Sequence, residues 1–115
     1  MSHQKTLHAL ADDTRREIFD HLRARSASVG ELADKMPVSR PAVSQHLKVL
    51  REAGLVREQR RGVQRIYRVD ARGLLELRRY VDALWTDLVE RFDQDTSDTP
   101  HEGRPRTARP RRRSR

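Results

Sequence analysis

The sequence has 115 residues, with 25 Lys and Arg against 17 Asp and Glu and a formal net charge of +8. This length allows one small domain and excludes large multidomain enzymes. The absence of cysteine excludes disulfides, thiolate metal sites and cysteine nucleophiles. No apolar run approaches the roughly 18 residues that span a bilayer, and residues 1–10 lack the apolar centre of a secretory signal. We therefore expect a cytoplasmic protein with no membrane partner.

Half of the net charge lies at the end of the chain. Residues 94–115 contain seven arginines against three acidic residues, and they have no Leu, Ile, Val or Phe to join a core. We therefore predict a folded domain over residues 1–93 and a disordered Arg/Pro-rich tail over residues 94–115. Nonspecific DNA affinity and simple solubilisation are both open roles for this tail.

Apolar spacing predicts four short helices in the first half of the chain. Their apolar stripes are Leu7, Leu10 and Ala11; Ile18, Phe19 and Leu22; Val29, Leu32, Ala33 and Met36; and Val43, Leu47 and Leu50. The Asp12-Asp13-Thr14 segment offers caps for the second helix, and Ser28 and Ser39 are suitable N-caps for the third and fourth. Pro37 ends the third helix, and Gly54 is the natural stop of the fourth.

After Gly54 the apolar period shifts towards two. Leu55 to Arg60 and Val63 to Val69 are predicted strands, joined as a hairpin around Arg61-Gly62. From Asp70 the helical period returns and continues to Phe92. We therefore predict a mainly α fold with a small β-hairpin.

The fourth helix has a polar side opposite its apolar stripe, and a tight turn connects it to the third helix. This order of helix, turn, polar-faced helix and basic hairpin is the layout of a winged helix-turn-helix, whose natural target is double-stranded DNA. Arg can pair with guanine and Gln with adenine, while Lys and the helix N-terminus suit phosphate. The predicted DNA-contacting residues of this helix are Ser39, Arg40, Pro41, Ser44, Gln45 and Lys48.

Four arginines of the predicted hairpin, or wing, are candidates for contact with DNA: Arg57, Arg60, Arg61 and Arg65. On a wing, these side chains would lie along flanking phosphates or enter a narrow minor groove. A merely solvated hairpin surface is the alternative.

The last helix is apolar on more than one side, which exceeds what a core of this size can cover. The remaining apolar surface predicts a homodimer formed by the N-terminal and C-terminal helices. The predicted interface residues are Leu7, Leu10, Leu77, Val81, Leu84, Trp85, Leu88 and Phe92.

Three segments resemble the ArsR/SmtB family of bacterial winged-helix repressors. They run from Ala9 to Ile18, from Ser28 to Ala33 and from Val38 to Val56, and the last is the most specific. The resemblance also includes Gly62 to Tyr67 and the final helix. It implies a homodimer that represses transcription on a near-palindromic operator, with the helix from Ser39 to Ala53 reading the DNA.

The sequence departs from the family's metal sensors. Where thiolate sensors have a Cys-Val-Cys type motif, this chain has Ser28-Val29-Gly30, and between Leu74 and Phe92 it has no histidine. We therefore expect no metal and no cofactor. An architectural protein that coats DNA with little sequence preference is the main alternative, whereas an enzyme has little support, because no nucleophile, carboxylate pair or phosphate loop stands in a suitable context.

Overall fold

The computed structural model describes residues 3–98, with side chains up to Asp93. Its elements follow the predicted order. They are α1 (His3–Ala11), α2 (Asp13–Ala24), α3 (Val29–Lys35), α4 (Arg40–Glu52), β1 (Val56–Arg61), β2 (Gln64–Val69) and α5 (Ala71–Asp98). The chain divides into two compact units, one up to Val81 and one from Asp82, so the boundary lies within α5.

Ser28 and Ser39 are confirmed as N-caps, and Asp12 is the residue of the Asp12-Asp13-Thr14 segment that caps α2. The Asp12 carboxylate accepts a hydrogen bond from the Arg15 amide at 2.9 Å. Ser28 forms a full capping box with Glu31, and the Ser39 hydroxyl accepts from the Ala42 amide. Each of these contacts satisfies an amide that has no partner within its own helix.

The core forms around α4, which packs against α1, α2, α3 and β1. Its predicted apolar stripe, Val43, Leu47 and Leu50, is at most 1% exposed. The predicted stripe of α1 is wrong in part, because Thr6 and Ala9 are the buried residues of this helix and Leu7 is 44% exposed.

Two arginines at the start of α2 hold the end of α1. Arg15 donates from Nε to the Ala9 carbonyl at 2.9 Å and from Nη2 to the His8 carbonyl. Arg16 donates to the Leu10 carbonyl at 2.9 Å. Because the last carbonyls of a helix lack intrahelical partners, these bonds replace a glycine C-cap and fix the α1–α2 junction.

The strands of the hairpin begin one residue later than predicted. Leu55 is buried before β1, and its amide donates to the Leu50 carbonyl at the end of α4. Val63 lies in the turn and is 96% exposed. The antiparallel register pairs Val56 with Val69 and Arg61 with Gln64, which leaves Gly62 and Val63 as the connection. Gly62 has a φ of 64°, the left-handed conformation that favours glycine in such a turn.

Backbone hydrogen bonds hold the base of the hairpin to the helices. Ala27, before α3, pairs with Tyr67 through two hydrogen bonds of 3.0 and 2.8 Å. The Asp70 amide donates to the Leu55 carbonyl, and the Gly73 amide donates to the Gly54 carbonyl at 2.8 Å. The hairpin therefore projects from an anchored base.

The helix α5 continues to Asp98, past the predicted domain boundary at Asp93. Residues 99–115, which make up most of the predicted tail, lie outside the described residues. In the part of the chain that is described, no helix is long and apolar enough to cross a membrane.

Candidate nucleic-acid interface

The outer side of α4 presents the side chains that the sequence analysis assigned to DNA. Ser39, Arg40, Pro41, Ser44, Gln45 and Lys48 are all exposed. The opposite side of the helix is closed by the core, so these polar groups face away from it. The helix therefore offers hydrogen-bonding groups to an outside ligand at no cost in core packing.

The first two of these residues have additional contacts. Ser39 caps α4. Arg40 lies against the first turn of α3, where a Cβ added to Gly30 would be 3.1 Å from the Nη2 atom of Arg40. An open cleft between α3, α4 and β2 is lined by Ser28, Val29, Gly30, Arg40, Ser44, Gln64, Arg65 and Tyr67. Because Arg40 and Arg65 both line this cleft, the outer side of α4 and the wing meet at a positively charged cleft.

The four wing arginines that were predicted to contact DNA are all exposed, but they do not share one face of the hairpin. Neighbouring residues of a strand point to opposite faces, and directly paired residues share a face. Arg60 pairs with Arg65, so these two lie on the face that carries buried Tyr67. Arg57 and Arg61 lie on the other face. The wing is therefore basic on both faces, a distribution that the sequence analysis did not resolve.

Besides Arg68 on β2, the sequence analysis missed two charged residues of this region, Arg51 and Glu58. Arg51 lies seven residues, or two helical turns, after Ser44, and its exposed side chain continues the outer side of α4. Glu58 lies on β1 and forms ion pairs with Arg51 and, at 3.1 Å, with Arg65. The helical spacing from Ser44 could have identified Arg51, and a carboxylate within a basic strand could have drawn attention to Glu58.

His46 is half-buried on the inner edge of α4. Its Nδ1 atom lies 3.5 Å from Nη1 of Arg15, the residue that also holds the end of α1. The imidazole is therefore packed between α4 and the Arg15 guanidinium. Arg15 consequently connects α1, α2 and α4.

The predicted interface residues differ in exposure. In the first unit, Leu7 and Val81 are exposed, whereas Leu10 and Leu77 are half-buried and Leu10 packs partly against the core. In the second unit, the exposed apolar side chains are Leu84, Trp85, Leu88, Val89 and Phe92, with Trp85 at 66% and Phe92 at 65%. Their spacing of three and four residues puts Leu84, Leu88 and Phe92 along one side of the helical segment. Unexpectedly, His3 stacks on Tyr80 with ring centroids 3.9 Å apart.

The segment that replaces the Cys-Val-Cys motif has no spare ligand. The Ser28 hydroxyl caps α3, and the space beside Gly30 is taken by the Arg40 guanidinium. Within residues 3–93, no three His, Cys, Asp or Glu side chains come together in a way that could hold a metal ion.

Comparisons with known proteins agree with this geometry. Residues 10–59 match a family described as a helix-turn-helix domain. The HTH-type transcriptional regulator Rv2034 of Mycobacterium tuberculosis is 50% identical over 86 residues, which cover 75% of this chain and 80% of that protein. The transcriptional repressor SdpR of Bacillus subtilis is 37% identical over 54 residues, 47% of this chain and 60% of the repressor.

A solved structure, the ArsR-like transcriptional regulator from Rhodococcus sp. RHA1, superposes with a TM-score of 0.77 at 29% identity and covers 84% of this chain and 92% of that one. The polar outer side of α4, the adjoining basic hairpin and these likenesses agree with one another. This chain belongs to the ArsR/SmtB family of winged helix-turn-helix transcriptional regulators, which are DNA-binding proteins and not enzymes.

Proposed function

We propose that this protein is a homodimeric transcriptional repressor that binds a near-palindromic operator in the bacterial cytoplasm. The observation that carries the proposal is the outer side of α4, where five polar or basic residues and Pro41 are exposed opposite a closed core. A relative named as a transcriptional repressor supports the direction of regulation. In this proposal α4 is the reading helix and enters the major groove.

The side chains on the reading helix fit different parts of the DNA. Gln45 can donate to and accept from an adenine edge, and Arg40 can donate two hydrogen bonds to guanine. Lys48 suits a backbone phosphate, and the positive end of the α4 helix dipole favours an anion. Ser44 and Pro41 are small enough to allow close approach. The proposal therefore assigns base reading to the N-terminal half of α4.

The wing supplies contacts that are independent of sequence. Arg57, Arg60, Arg61 and Arg65 are exposed on its two faces and can neutralise phosphates or enter a narrow minor groove. The seven arginines between residues 104 and 115 would add to this attraction if they reach the DNA.

A second copy of the chain is the proposed occupant of the exposed apolar residues on α5. Trp85, Leu88 and Phe92 are all more than half exposed, which is costly for large apolar side chains unless a partner covers them. Two reading helices related by a twofold axis would reach half-sites about 34 Å apart, one turn of duplex. This spacing is the physical reason for a near-palindromic operator.

We also propose that the repressor works without a metal ion. The Arg40 guanidinium occupies the space beside Gly30, in the segment where thiolate sensors of the family bind their metal. A cation placed there would be repelled by this charge and would find neither thiolate nor imidazole. Regulation of this protein would then depend on something other than direct metal binding at this segment.

Selection from a randomised duplex pool tests the proposed function. We expect the protein to enrich one symmetric sequence and to bind it at least roughly a thousandfold more tightly than random duplex at physiological salt. An architectural protein would bind both within a few-fold. Failure to enrich any sequence would refute the proposal.

Two variants then test the reading helix against the wing. Gln45→Ala should weaken the free energy of binding to the selected duplex by about 1 to 3 kcal/mol and relax the preference at one base pair. Arg61→Ala should weaken selected and random duplexes alike, because a phosphate contact carries no sequence information. Equal losses of Gln45→Ala on both duplexes would contradict the assignment of α4 as the reading helix.

A further inference from the structure

The strands of the wing contain five arginines and a single carboxylate, Glu58. A carboxylate on a surface that faces phosphates repels them and weakens binding to every duplex. Its presence in this strand therefore calls for a compensating role, and the contacts of Glu58 indicate which role that is.

Glu58 connects the wing to the reading helix. Its Oε1 atom accepts a hydrogen bond from Nη1 of Arg51 on the last turn of α4, and its Oε2 atom forms an ion pair with Nε of Arg65 on β2 at 3.1 Å. Both oxygens are thus engaged by guanidinium groups from different elements. The Glu58 side chain is 22% exposed, against 45% for Arg51 and 58% for Arg65, so the carboxylate is the most enclosed of the three.

The Glu58 side chain starts at the anchored base of the wing, because Glu58 pairs with Tyr67 across the hairpin. The core and the pairing of Ala27 with Tyr67 fix the base. From there, Glu58 provides a side-chain connection between the last turn of α4 and Arg65, which lies further out on β2. Arg65, which it holds, also lines the cleft beside Arg40 and Ser44.

We propose that Glu58 is a positioning residue that sets the angle between the wing and the reading helix and holds Arg65 in place for DNA. This inference rests on the proposed function. An ion pair that is partly exposed contributes little to stability, so the benefit of the cluster lies in geometry. A correctly placed arginine loses less conformational freedom on binding, because its rotamer is already restricted.

Electrostatics alone predicts that a neutral substitution at Glu58 increases the affinity for DNA, which is the opposite of what a positioning role predicts. Removing a negative charge near DNA should strengthen binding to all duplexes. If Glu58 positions the wing, its removal should instead weaken binding to the operator in spite of the gain in positive charge. The direction of the change therefore distinguishes the two roles.

The test compares Glu58→Gln, Glu58→Asp and the control Glu52→Gln on two probes. One probe is the duplex that the wild-type protein enriches from the random pool, and the other is the same duplex trimmed of the flanks that the wing would reach. Glu58→Gln removes the charge, whereas Glu58→Asp keeps it and shortens the side chain by one methylene. Glu52 is an exposed residue at the end of α4, so Glu52→Gln changes the same charge without touching the cluster.

We expect both Glu58 variants to bind the full duplex roughly fivefold to tenfold more weakly than the wild type, and to lose less than about twofold on the trimmed duplex. Glu52→Gln should bind both probes as tightly as the wild type or more tightly. Thermal melting of the free variants establishes that they are folded. Glu58→Asp keeps the test valid if Glu58→Gln does not fold.

Three results would overturn the inference. One is tighter binding of Glu58→Gln to both probes, which would make Glu58 only a source of repulsion. Another is an unchanged affinity of Glu58→Asp for the full duplex. The third is an equal loss on full and trimmed probes, which would point to a general defect. Each of these leaves the proposed function intact, because that function fails only if the wild-type protein enriches no sequence.

Discussion

Gly73 lies where the first turn of α5 meets the backbone at the end of α4. A Cβ added there would be 2.5 Å from the Ala53 carbonyl oxygen and 2.9 Å from the carbonyl carbon and oxygen of Gly54. These are backbone atoms of a helix end and cannot rotate away. At this residue, therefore, the absence of a side chain is a packing requirement.

We predict that Gly73→Ala lowers the free energy of unfolding by about 3 kcal/mol, because α5 must move away from α4 to make room. Denaturant titration followed by circular dichroism measures the change. The matched control is Gly62→Ala, where nothing lies within 4 Å of the added Cβ and only the φ of 64° is unfavourable. The Gly62→Ala substitution should lower the free energy of unfolding by only about 1 kcal/mol. A Gly73→Ala variant as stable as the control would contradict the close approach.

Single residues with local roles could be predicted from the sequence. Asp12, Ser28 and Ser39 each stand directly before a helical pattern, and a cap depends only on the next three residues. Gly73 and Thr6 could not be predicted in this way. Gly73 is constrained by a backbone about 20 residues earlier, and Thr6 is a polar residue that is fully buried.

At the scale of elements, two carboxylates at helix starts couple stability to pH. The Arg15 amide donates to Asp12 and holds the pKa of this carboxyl below its ordinary value. The side chain and amide of Arg72 donate to Asp70 and lower its pKa in the same way. A lowered folded-state pKa means that the unfolded chain binds the proton more readily.

We predict that the stabilisation from Asp12 and Asp70 is fully present above about pH 5 and is lost as the pH falls through about 4 and below, past the ordinary carboxyl pKa and then the folded-state pKa. Melting temperatures measured between neutral and acidic pH should decline over this range. Asp12→Asn keeps a good N-cap but cannot titrate, so its melting temperature should decline less. An identical acid profile for the variant would exclude Asp12 as a contributor.

The elements themselves followed from periodicity, but their edges did not. Leu55 and Val63 fit an alternating strand pattern, yet Leu55 ends the turn after α4 and Val63 lies in the hairpin connection. The register depends on the two-residue turn and on the pairing of Val56 with Val69, and these are decided by tertiary contacts. The same reasoning explains why the sequence located the wing arginines but not their distribution over two faces.

At the scale of the whole molecule, the exposed apolar residues of the second unit decide the proposed assembly. We predict that Trp85→Glu shifts the protein from dimer to monomer at micromolar concentration, because a carboxylate would be buried without a partner charge. Sedimentation equilibrium measures the mass, and binding to the selected duplex should fall by roughly a hundredfold as two half-sites are no longer held together.

The control for this prediction is Thr86→Glu, at the next residue of the same helix, which should remain dimeric. Persistence of the dimer in Trp85→Glu would move the interface elsewhere. Dissociation by both substitutions would indicate a general effect of negative charge on the helix.

The family and the winged helix-turn-helix fold could be predicted at this scale, because the segment from Val38 to Val56 contains both the reading helix and its turn. The connection between Arg51, Glu58 and Arg65 could not, since it depends on the angle between a helix and a hairpin. Residues that bind an outside ligand can be recognised in a sequence from their type and spacing on one side of a helix or strand. Residues that orient one element against another have no such sequence pattern.

The pairing of Ala27 with Tyr67 has a mechanical consequence. Two backbone hydrogen bonds there join the segment before α3 to the second strand of the hairpin. A rotation of the hairpin at its root would break both bonds and pull on the start of α3. Bending is therefore confined to the outer half of the hairpin. A substitution that removes either bond would loosen the start of α3 together with the hairpin, although the two segments are about 40 residues apart in the sequence.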